Sequence, residues 1–439
     1  MPRALTILRW FGVGFIAVLI TLVALFGFLQ TGPGLRTLEN FGSRLASSDG
    51  LTVKIEGLSG FVPSDMTIAR ISAADATGPF AEVENLHLAW HPLSLLSGKV
   101  SIADLAADRV SVSRTPVLPP PPPKPAGSSS GIPFIRVALD RLDIARIELG
   151  EPVLGMAATL NLQASARLVD PAEGLSLDFA VLREDAPGEI KGRARYAPGD
   201  GTDSLYLDVT ASEPAGGLVA RLAQIEGLPA LSLSVKGNAP LDNWNGSIAL
   251  DAGAAGHLGG TAAIKQVDNG RRIMLDLAGD VAGLVPATVR PLFADQTTLM
   301  GSAIVEPEGR IAIEGLNATA AGFGLALVGK LDTTAKTADL KLDLVGGDPS
   351  RFAAFAPGVT WSGWRLNAAV TGAFATPSVD ATLTASDLSG AGYGARDLQI
   401  VAKTTPATGG GLAFTVDGSA GGLSAEDPKV SAALGQTAK

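Results

Sequence analysis

The chain has 439 residues, of which 46% are hydrophobic, and its 53 glycines and 28 prolines exceed ordinary usage without a collagen-like period. Its 34 Lys and Arg residues against 43 Asp and Glu residues give a net charge of −9, without the basic excess that nucleic-acid binders need. The absence of cysteine excludes disulfides, thiolate metal sites and cysteine nucleophiles. The hydrophobic content and the lack of a glycine period exclude disorder and a collagen fold, and the net negative charge excludes a nucleic-acid partner.

The first predicted element is a transmembrane anchor over residues 10–29. The run WFGVGFIAVLITLVALFGFL carries no charge over twenty residues, and a helix of that length crosses a bilayer core of about 30 Å. Arg3 and Arg9 precede the run and no charged residue follows before Arg36, which predicts a cytoplasmic segment 1–9 and an exported remainder. A cleaved signal peptide is the alternative, but the run is longer than a signal core and lacks an A-x-A-like site.

Residues 30–115 are predicted to form a β-region that begins with one short helix near Gly34 to Leu45. Leu51, Val53 and Ile55 then alternate with polar residues, which is the period of a strand. The segment 116–131 contains a run of five prolines followed by Gly and Ser, so we interpret it as an exposed loop or linker. A PxxP ligand for an adaptor domain is the alternative, and an exported chain gives no reason to expect such a domain.

Residues 132–418 repeat the alternation many times, and residues 419–439 form a polar tail. Short helical interruptions are predicted near Gly216 to Gln224, Val289 to Phe293 and Pro349 to Phe355. Strands that end in apolar-x-Gly recur at Gly237, Gly279, Gly329, Gly372 and Gly418, with spacings of 42, 50, 43 and 46 residues that suggest an array. The predicted fold class is mostly β: an elongated, antiparallel, repetitive sheet of about twenty strands with one apolar and one polar face.

Such a sheet must hide its apolar face, either in a packed core or as the floor of an open, taco-like trough that accepts an apolar ligand. The alternation is the same in both cases, so both interpretations stay open. The apolar positions that would form a lipid path in the trough are Leu88, Trp90, Val100, Ile102, Leu160, Leu162, Leu177, Phe179, Leu205, Leu207, Val209, Leu233, Val235, Ile248, Leu250, Leu275, Leu277, Ile311, Ile313, Leu325, Leu327, Leu340, Leu342 and Leu344.

Three sequence patterns are similar to known catalytic or ligand-binding motifs, but each lacks a residue or a geometry that its motif requires. Gly324 to Lys330 is spaced almost like a phosphate-binding loop, but Leu331 stands where a Ser or Thr is needed, so a strand end is predicted. His87 and His91 would share a helix face for zinc, whereas on a strand that geometry is lost. His257 has no Gly-x-Ser-x-Gly partner. We therefore expect no catalytic residue, no cofactor and no metal, and predict that the protein is not an enzyme.

The order of several motifs resembles one known family. Val83 to Val112, with Leu86-His-Leu88-Ala-Trp90-His-Pro92, is similar to the N-terminal signature of the TamB proteins of the AsmA-like superfamily. Leu142 to Gly155 is similar too, as are the segment Leu29 to Gly34, the Pro-rich insertion before Ile132, and Glu213 to Leu218 with Leu231 to Gly237. The resemblance covers nearly the whole chain, although the long C-terminal domain of the family has no counterpart here.

The resemblance implies a protein with a single span in a bacterial inner membrane and most of its chain in the periplasm. It implies that the trough carries glycerophospholipid toward the outer membrane and supports outer-membrane protein assembly and secretion. The family's partner is TamA, an outer-membrane barrel of the Omp85 class, and the domain that meets it is the one without a counterpart here. The alternative is a structural β-repeat scaffold with a packed core and no lipid cargo.

Overall fold

The computed structural model describes residues 26–118, 136–170, 172–199, 203–406, 411–427, 429–430, 433 and 437–438. It divides into two compact units, residues 1–195 and 196–439. Strands make up most of both units, which confirms the mostly β fold class. Within the described ranges no helix has the length and apolarity needed to cross a membrane. The predicted span at 10–29 lies outside those ranges except for its last four residues, which are helical.

The first unit begins with helix α1 (Gly32–Ala46), which confirms the predicted short helix. The hydroxyl of Thr31 caps its N-terminus and Pro33 occupies the first turn, as expected for a helix start. The strands of this unit follow: β1 (Thr52–Phe61), β2 (Asp65–Asp75), β3 (Gly78–Trp90), β4 (Lys99–Ala107), β5 (Arg109–Val112), β6 (Arg136–Leu149), β7 (Ala158–Asp170), β8 (Gly174–Arg183) and β9 (Glu189–Ala197), whose last two residues belong to the second unit. A short helix, α2 (Glu151–Leu154), separates β6 from β7.

Helix α1 lies against the free edge of β1. Side chains near and along the helix accept hydrogen bonds from backbone N–H groups of that strand: Ser47 from Val53 (2.9 Å), Ser43 from Ile55 (2.9 Å), Glu39 from Leu58 (2.7 Å), and, just beyond the strand, Gln30 from Val62 (3.2 Å). An open strand edge offers such groups to any other chain. The helix therefore closes this edge of the sheet.

The predicted antiparallel order holds for most of the first unit and is wrong at β6. Strands β4 and β5 both pair with β3 in antiparallel fashion, and both pair with β6 in parallel fashion. Strands β4 and β5 follow one line between β3 and β6, with a break at Asp108. At this break the side-chain amide of Asn85 donates a hydrogen bond to the Asp108 carboxylate. A parallel return needs a long connection. The segment between β5 and β6, which contains the Pro-rich run, supplies that connection.

The second unit is a regular antiparallel meander in which each strand from β10 to β22 pairs with the next. Its strands are β10 (Ser204–Glu213), β11 (Leu231–Pro240), β12 (Asn243–Asp251), β13 (His257–Val267), β14 (Gly270–Asp280), β15 (Thr297–Val305), β16 (Arg310–Thr319), β17 (Phe323–Asp332), β18 (Thr337–Gly346), β19 (Gly363–Ala373), β20 (Thr376–Gly390), β21 (Tyr393–Pro406), β22 (Leu412–Gly421), β23 (Ser424–Ala425) and β24 (Thr437–Ala438).

Short helical segments interrupt this meander at the three places that the sequence predicts and at three others that it does not. They are α3 (Leu218–Leu222) and the 3-10 turns Gly253–Ala255, Ala282–Leu284, Arg290–Phe293, Pro307–Gly309 and Pro349–Phe352. Except for Pro307–Gly309, these segments follow even-numbered strands and precede odd-numbered ones. In a meander those connections all lie at the same end of the strands. We call these segments, without Pro307–Gly309, the cap row.

Candidate functional site

Strand register brings the apolar residues of the second unit onto one face. Across β10 and β11, Val209 pairs with Val235, and Val235 in turn pairs with Ile248 of β12. Directly paired residues of antiparallel strands point to the same side of the sheet. Further along, Leu327 pairs with Leu316 on one side and with Leu342 on the other.

The same register holds for every lipid-path candidate in this unit. The residues that it places on this one face, the apolar face, are Leu205, Leu207, Val209, Leu233, Val235, Ile248, Leu250, Leu275, Leu277, Ile311, Ile313, Leu325, Leu327, Leu340, Leu342 and Leu344. The intervening positions, such as Asp208, Lys236, Asp276 and Lys341, point to the opposite, polar face.

The first unit carries its own apolar face. The register of β3, β4, β6, β7 and β8 places the remaining candidates on a common side: Leu88, Trp90, Val100, Ile102, Leu160, Leu162, Leu177 and Phe179. The β4 strand keeps this side in spite of an irregularity at its pairing with β3. Arg183 is opposite Leu160 on the same side, and its guanidinium bonds to the Asp185 carboxylate. That contact lowers the pKa of Asp185 to about 2.

Most residues of the apolar face in the second unit are neither buried nor fully exposed. Leu277 is 7% exposed, while Ile273, four residues earlier on the same strand, is 44% exposed. Among the described residues no large side chain is completely buried, and alanine is the commonest of the buried apolar residues. Close-packed protein cores bury most of their large apolar side chains. The apolar face of this unit is therefore covered only in part.

Two tryptophans cover glycines on this face. Trp244 is 4% exposed and lies over Gly237 and Gly246, where an added Cβ atom would meet its ring at 2.1 and 2.3 Å. The indole N–H of Trp244 donates to the carbonyl of Leu205 at 2.8 Å. Trp364 covers Gly346 in the same way, next to Phe352 of the cap row. Both rings shield part of the apolar face from water.

A salt bridge shows that strands β10 to β14 curl toward the apolar side. Arg271, on the apolar face of β14, places its guanidinium 3.4 Å from the carboxylate of Asp203, which directly precedes β10. Four strand steps in a flat sheet would separate these positions by about 19 Å. The phenol of Tyr196 donates to the same carboxylate at 2.6 Å, and this contact raises the pKa of Tyr196.

The cap row is linked by ion pairs at the other end of the strands. Arg290 contacts Glu226, which follows α3, at 2.5 Å. Arg351 contacts Asp295 at 3.1 Å and donates to the carbonyl of Pro291. These contacts connect segments that follow β10, β14 and β18. Both ends of the curled sheet are thus held by contacts between distant parts of the chain.

Histidine 87 lies in the interior of β3 and not at a strand end. Its two ring nitrogens are each 3.0 Å from a carboxylate, Nε2 from Asp65 of β2 and Nδ1 from Asp104 of β4. These two carboxylates raise the pKa of His87. Among the described residues no group of three or more His, Asp or Glu side chains could hold a metal ion. The imidazole is arranged as a cross-strand ion-pair partner.

Two predictions about strand ends are wrong. The phosphate-loop-like segment near Gly329 and Lys330 is not a strand end, because β17 continues to Asp332. Gly237 likewise lies inside β11, which continues to Pro240. Glycine is needed at both positions because a neighbouring group leaves no room for a side chain. At Gly237 that group is the ring of Trp244, and at Gly329 it is the backbone of Asp339, whose carbonyl oxygen would meet an added Cβ atom at 2.1 Å. Such close approaches are a typical use of glycine within a strand.

No protein-family model matches this chain, and neither the curated proteins nor the solved structures include a significant match to it.

Proposed function

We propose that the apolar face of this protein binds the acyl chains of glycerophospholipid and conducts them from an inner-membrane anchor toward the outer membrane. The observation that carries the proposal is the partly exposed apolar face, which the register keeps continuous from β10 to β22 while the opposite face is polar. Each CH₂ group that leaves water for such a surface contributes about 0.8 kcal/mol. Head groups would stay at the hydrated ends of the strands.

The resemblance to TamB proteins supplies the direction of transport, the periplasmic location and the support of outer-membrane protein assembly and secretion. Contact with a TamA barrel of the Omp85 class stays a prediction from that resemblance.

The second candidate function is a structural scaffold without lipid cargo. Trp244 and the aromatic residues of the cap row favour it, because they already cover part of the apolar face from within the chain. The two functions differ in what happens when a charge is placed on the face. On a lipid-binding surface the charge removes cargo, whereas in a packed core it is buried without a partner and unfolds the sheet.

The test is to purify the protein from membranes in mild detergent and identify the bound lipids by mass spectrometry. Leu207→Asp and Leu275→Asp should lose phospholipid and remain soluble and protease-resistant. Asp276→Asn, on the opposite face beside Leu275, is the matched control and should retain lipid. Loss of folding in both Asp variants, with no phospholipid on the unmodified protein, would contradict the proposal and favour the scaffold.

A further inference from the structure

One end of the first unit carries a cluster of exposed apolar side chains. The 3-10 turn Pro92–Ser97 between β3 and β4 holds Leu93 and Leu96, which are 80% and 88% exposed, with Leu95 between them. Phe26, Phe28 and Phe61 are exposed at the same end. We call the six residues Phe26, Phe28, Phe61, Leu93, Leu95 and Leu96 the apolar patch. Exposed apolar clusters of this kind mark interaction sites.

Specific contacts hold the parts of the apolar patch together. The rings of Phe26 and Phe61 pack edge to face with their centres 5.4 Å apart. Gln30 bonds through its side-chain amide to both the N–H and the carbonyl of Val62. Trp90, two residues before the turn, donates its backbone N–H to the carbonyl of Ser64 at 2.8 Å. The turn, the end of β1 and the segment before α1 thus form one surface.

The sequence next to the apolar patch indicates what covers it. Phe26 and Phe28 lie inside the charge-free run 10–29, which is predicted to span a membrane. Where such a span leaves the bilayer, the nearest part of the folded chain faces the lipid surface. Gln30 fixes that exit point beside Val62, so the patch would lie at the level of the membrane interface.

The charges around the apolar patch fit an anionic lipid surface. Lys99 begins β4 and pairs in register with Arg136, which begins β6, so two cations lie side by side at this end of the sheet. The nearby carboxylate of Asp65 is engaged by His87. Basic residues near a bilayer surface are attracted to anionic headgroups, and amphipathic elements bury their apolar side chains in the interface.

We propose that the Pro92–Ser97 turn is a membrane-inserting element, which places Leu93 and Leu96 in the bilayer that holds the predicted span and sets Lys99 and Arg136 against anionic headgroups. This inference depends on the predicted anchor and does not depend on lipid transport along the apolar face. It gives the first unit a second contact with the membrane, which would fix how that unit stands on the bilayer surface.

The absence of native cysteine allows a direct test with single labels on the full chain. Leu96→Cys would carry an environment-sensitive fluorophore, and the protein would be reconstituted in vesicles of phosphatidylethanolamine and phosphatidylglycerol that contain nitroxide-labelled lipid. We expect a blue-shifted emission and strong quenching, greatest for nitroxides placed about 5–10 Å below the headgroups. Val328→Cys, an exposed apolar position on the polar face of β17, is the matched control and should not be quenched.

Equal quenching at positions 96 and 328 would overturn the inference. A blue shift at position 96 without quenching would overturn it too, because it would show that protein, such as a second copy of the chain, covers the patch. The double variant Lys99→Glu with Arg136→Glu should lose quenching at position 96 in these vesicles. Unchanged quenching in that variant would refute the headgroup contact.

Discussion

The guanidinium of Arg271 lies 3.4 Å from the carboxylate of Asp203, although the two residues are 68 positions apart in sequence and four strand steps apart in the sheet. Two backbone hydrogen bonds lie at the same end of these strands. The N–H of Leu241 donates to the carbonyl of Asp203, and the N–H of Gln266 donates to the carbonyl of Asp242. The strands between Arg271 and Asp203 must therefore bend around the apolar face. The salt bridge reports on that curl.

We predict that cysteines at positions 203 and 271 can be joined by a short bifunctional thiol reagent. The control pair is Asp203→Cys with Lys265→Cys, because Lys265 lies on β13, one strand nearer to β10, but points to the polar face. The pair 203/271 should cross-link efficiently and the pair 203/265 should not, as measured by the mobility of the looped product on a denaturing gel. The reverse result would mean that the sheet does not curl toward its apolar side.

Trp244 and Gly237 should be strongly coupled in stability. Trp244→Ala removes a large buried side chain and should lower the free energy of unfolding by about 3–5 kcal/mol. Gly237→Ala should also be destabilising, because the new Cβ atom would meet the indole ring at 2.1 Å. In a Trp244→Ala background the same Gly237→Ala change should cost much less. Denaturant unfolding of the four proteins of this cycle measures the coupling, and simple additivity would contradict it.

The side chains that close the edge of β1 should protect the protein from association. Ser43→Ala leaves the N–H of Ile55 without its partner and should cost about 0.5–1.5 kcal/mol. Combined with Glu39→Ala, it should also promote self-association through the exposed strand edge. Thr37→Ala is the control, since the hydroxyl of Thr37 bonds only to Pro33 within the helix. Light scattering measures the association, and a double variant that stays as monodisperse as the control would refute this role.

The ion pairs of His87 predict a pH dependence of stability. Because Asp65 and Asp104 raise the pKa of His87 in the folded state, their contribution is fully present below the unfolded value of about 6.5. It is lost as the pH rises through the higher folded pKa. His87→Gln should remove this part of the pH profile, whereas His91→Gln should not. The unfolding midpoint of each protein between about pH 5.5 and pH 8.5 provides the measurement. An unchanged profile in the His87→Gln variant would contradict the prediction.

The sequence predicted the alternation of the strands, the helix before β1 and three of the short helical interruptions, because these features depend on neighbouring residues. The assignment of Leu207, Leu275 and Leu342 to one face also follows from alternation, once the register is known. The contacts between Arg271 and Asp203 and between Trp244 and Gly237 could not be predicted. They depend on how far the sheet curls and on which residues meet across strands, and a single sequence contains no signal for either.

The parallel pairing of β6 was missed for a related reason. The alternation in β4, β5 and β6 gives each strand two faces but not its direction, which is set by the long connection after β5. The edge closure by Glu39, Ser43 and Ser47 was missed because these residues are ordinary helix-surface residues in sequence. Only the backbone N–H groups of β1 beside them reveal what they do.

Photo-crosslinking at adjacent positions on opposite faces tests the central claim most directly. Leu299 points to the apolar face, whereas Met300, the next residue of β15, points to the polar face and is 50% exposed. If the apolar face binds lipid, a photoreactive side chain at position 299 should capture phospholipid in cells, and one at position 300 should capture none in spite of its exposure. Capture at position 300 but not at 299, or equal capture at both, would contradict the account.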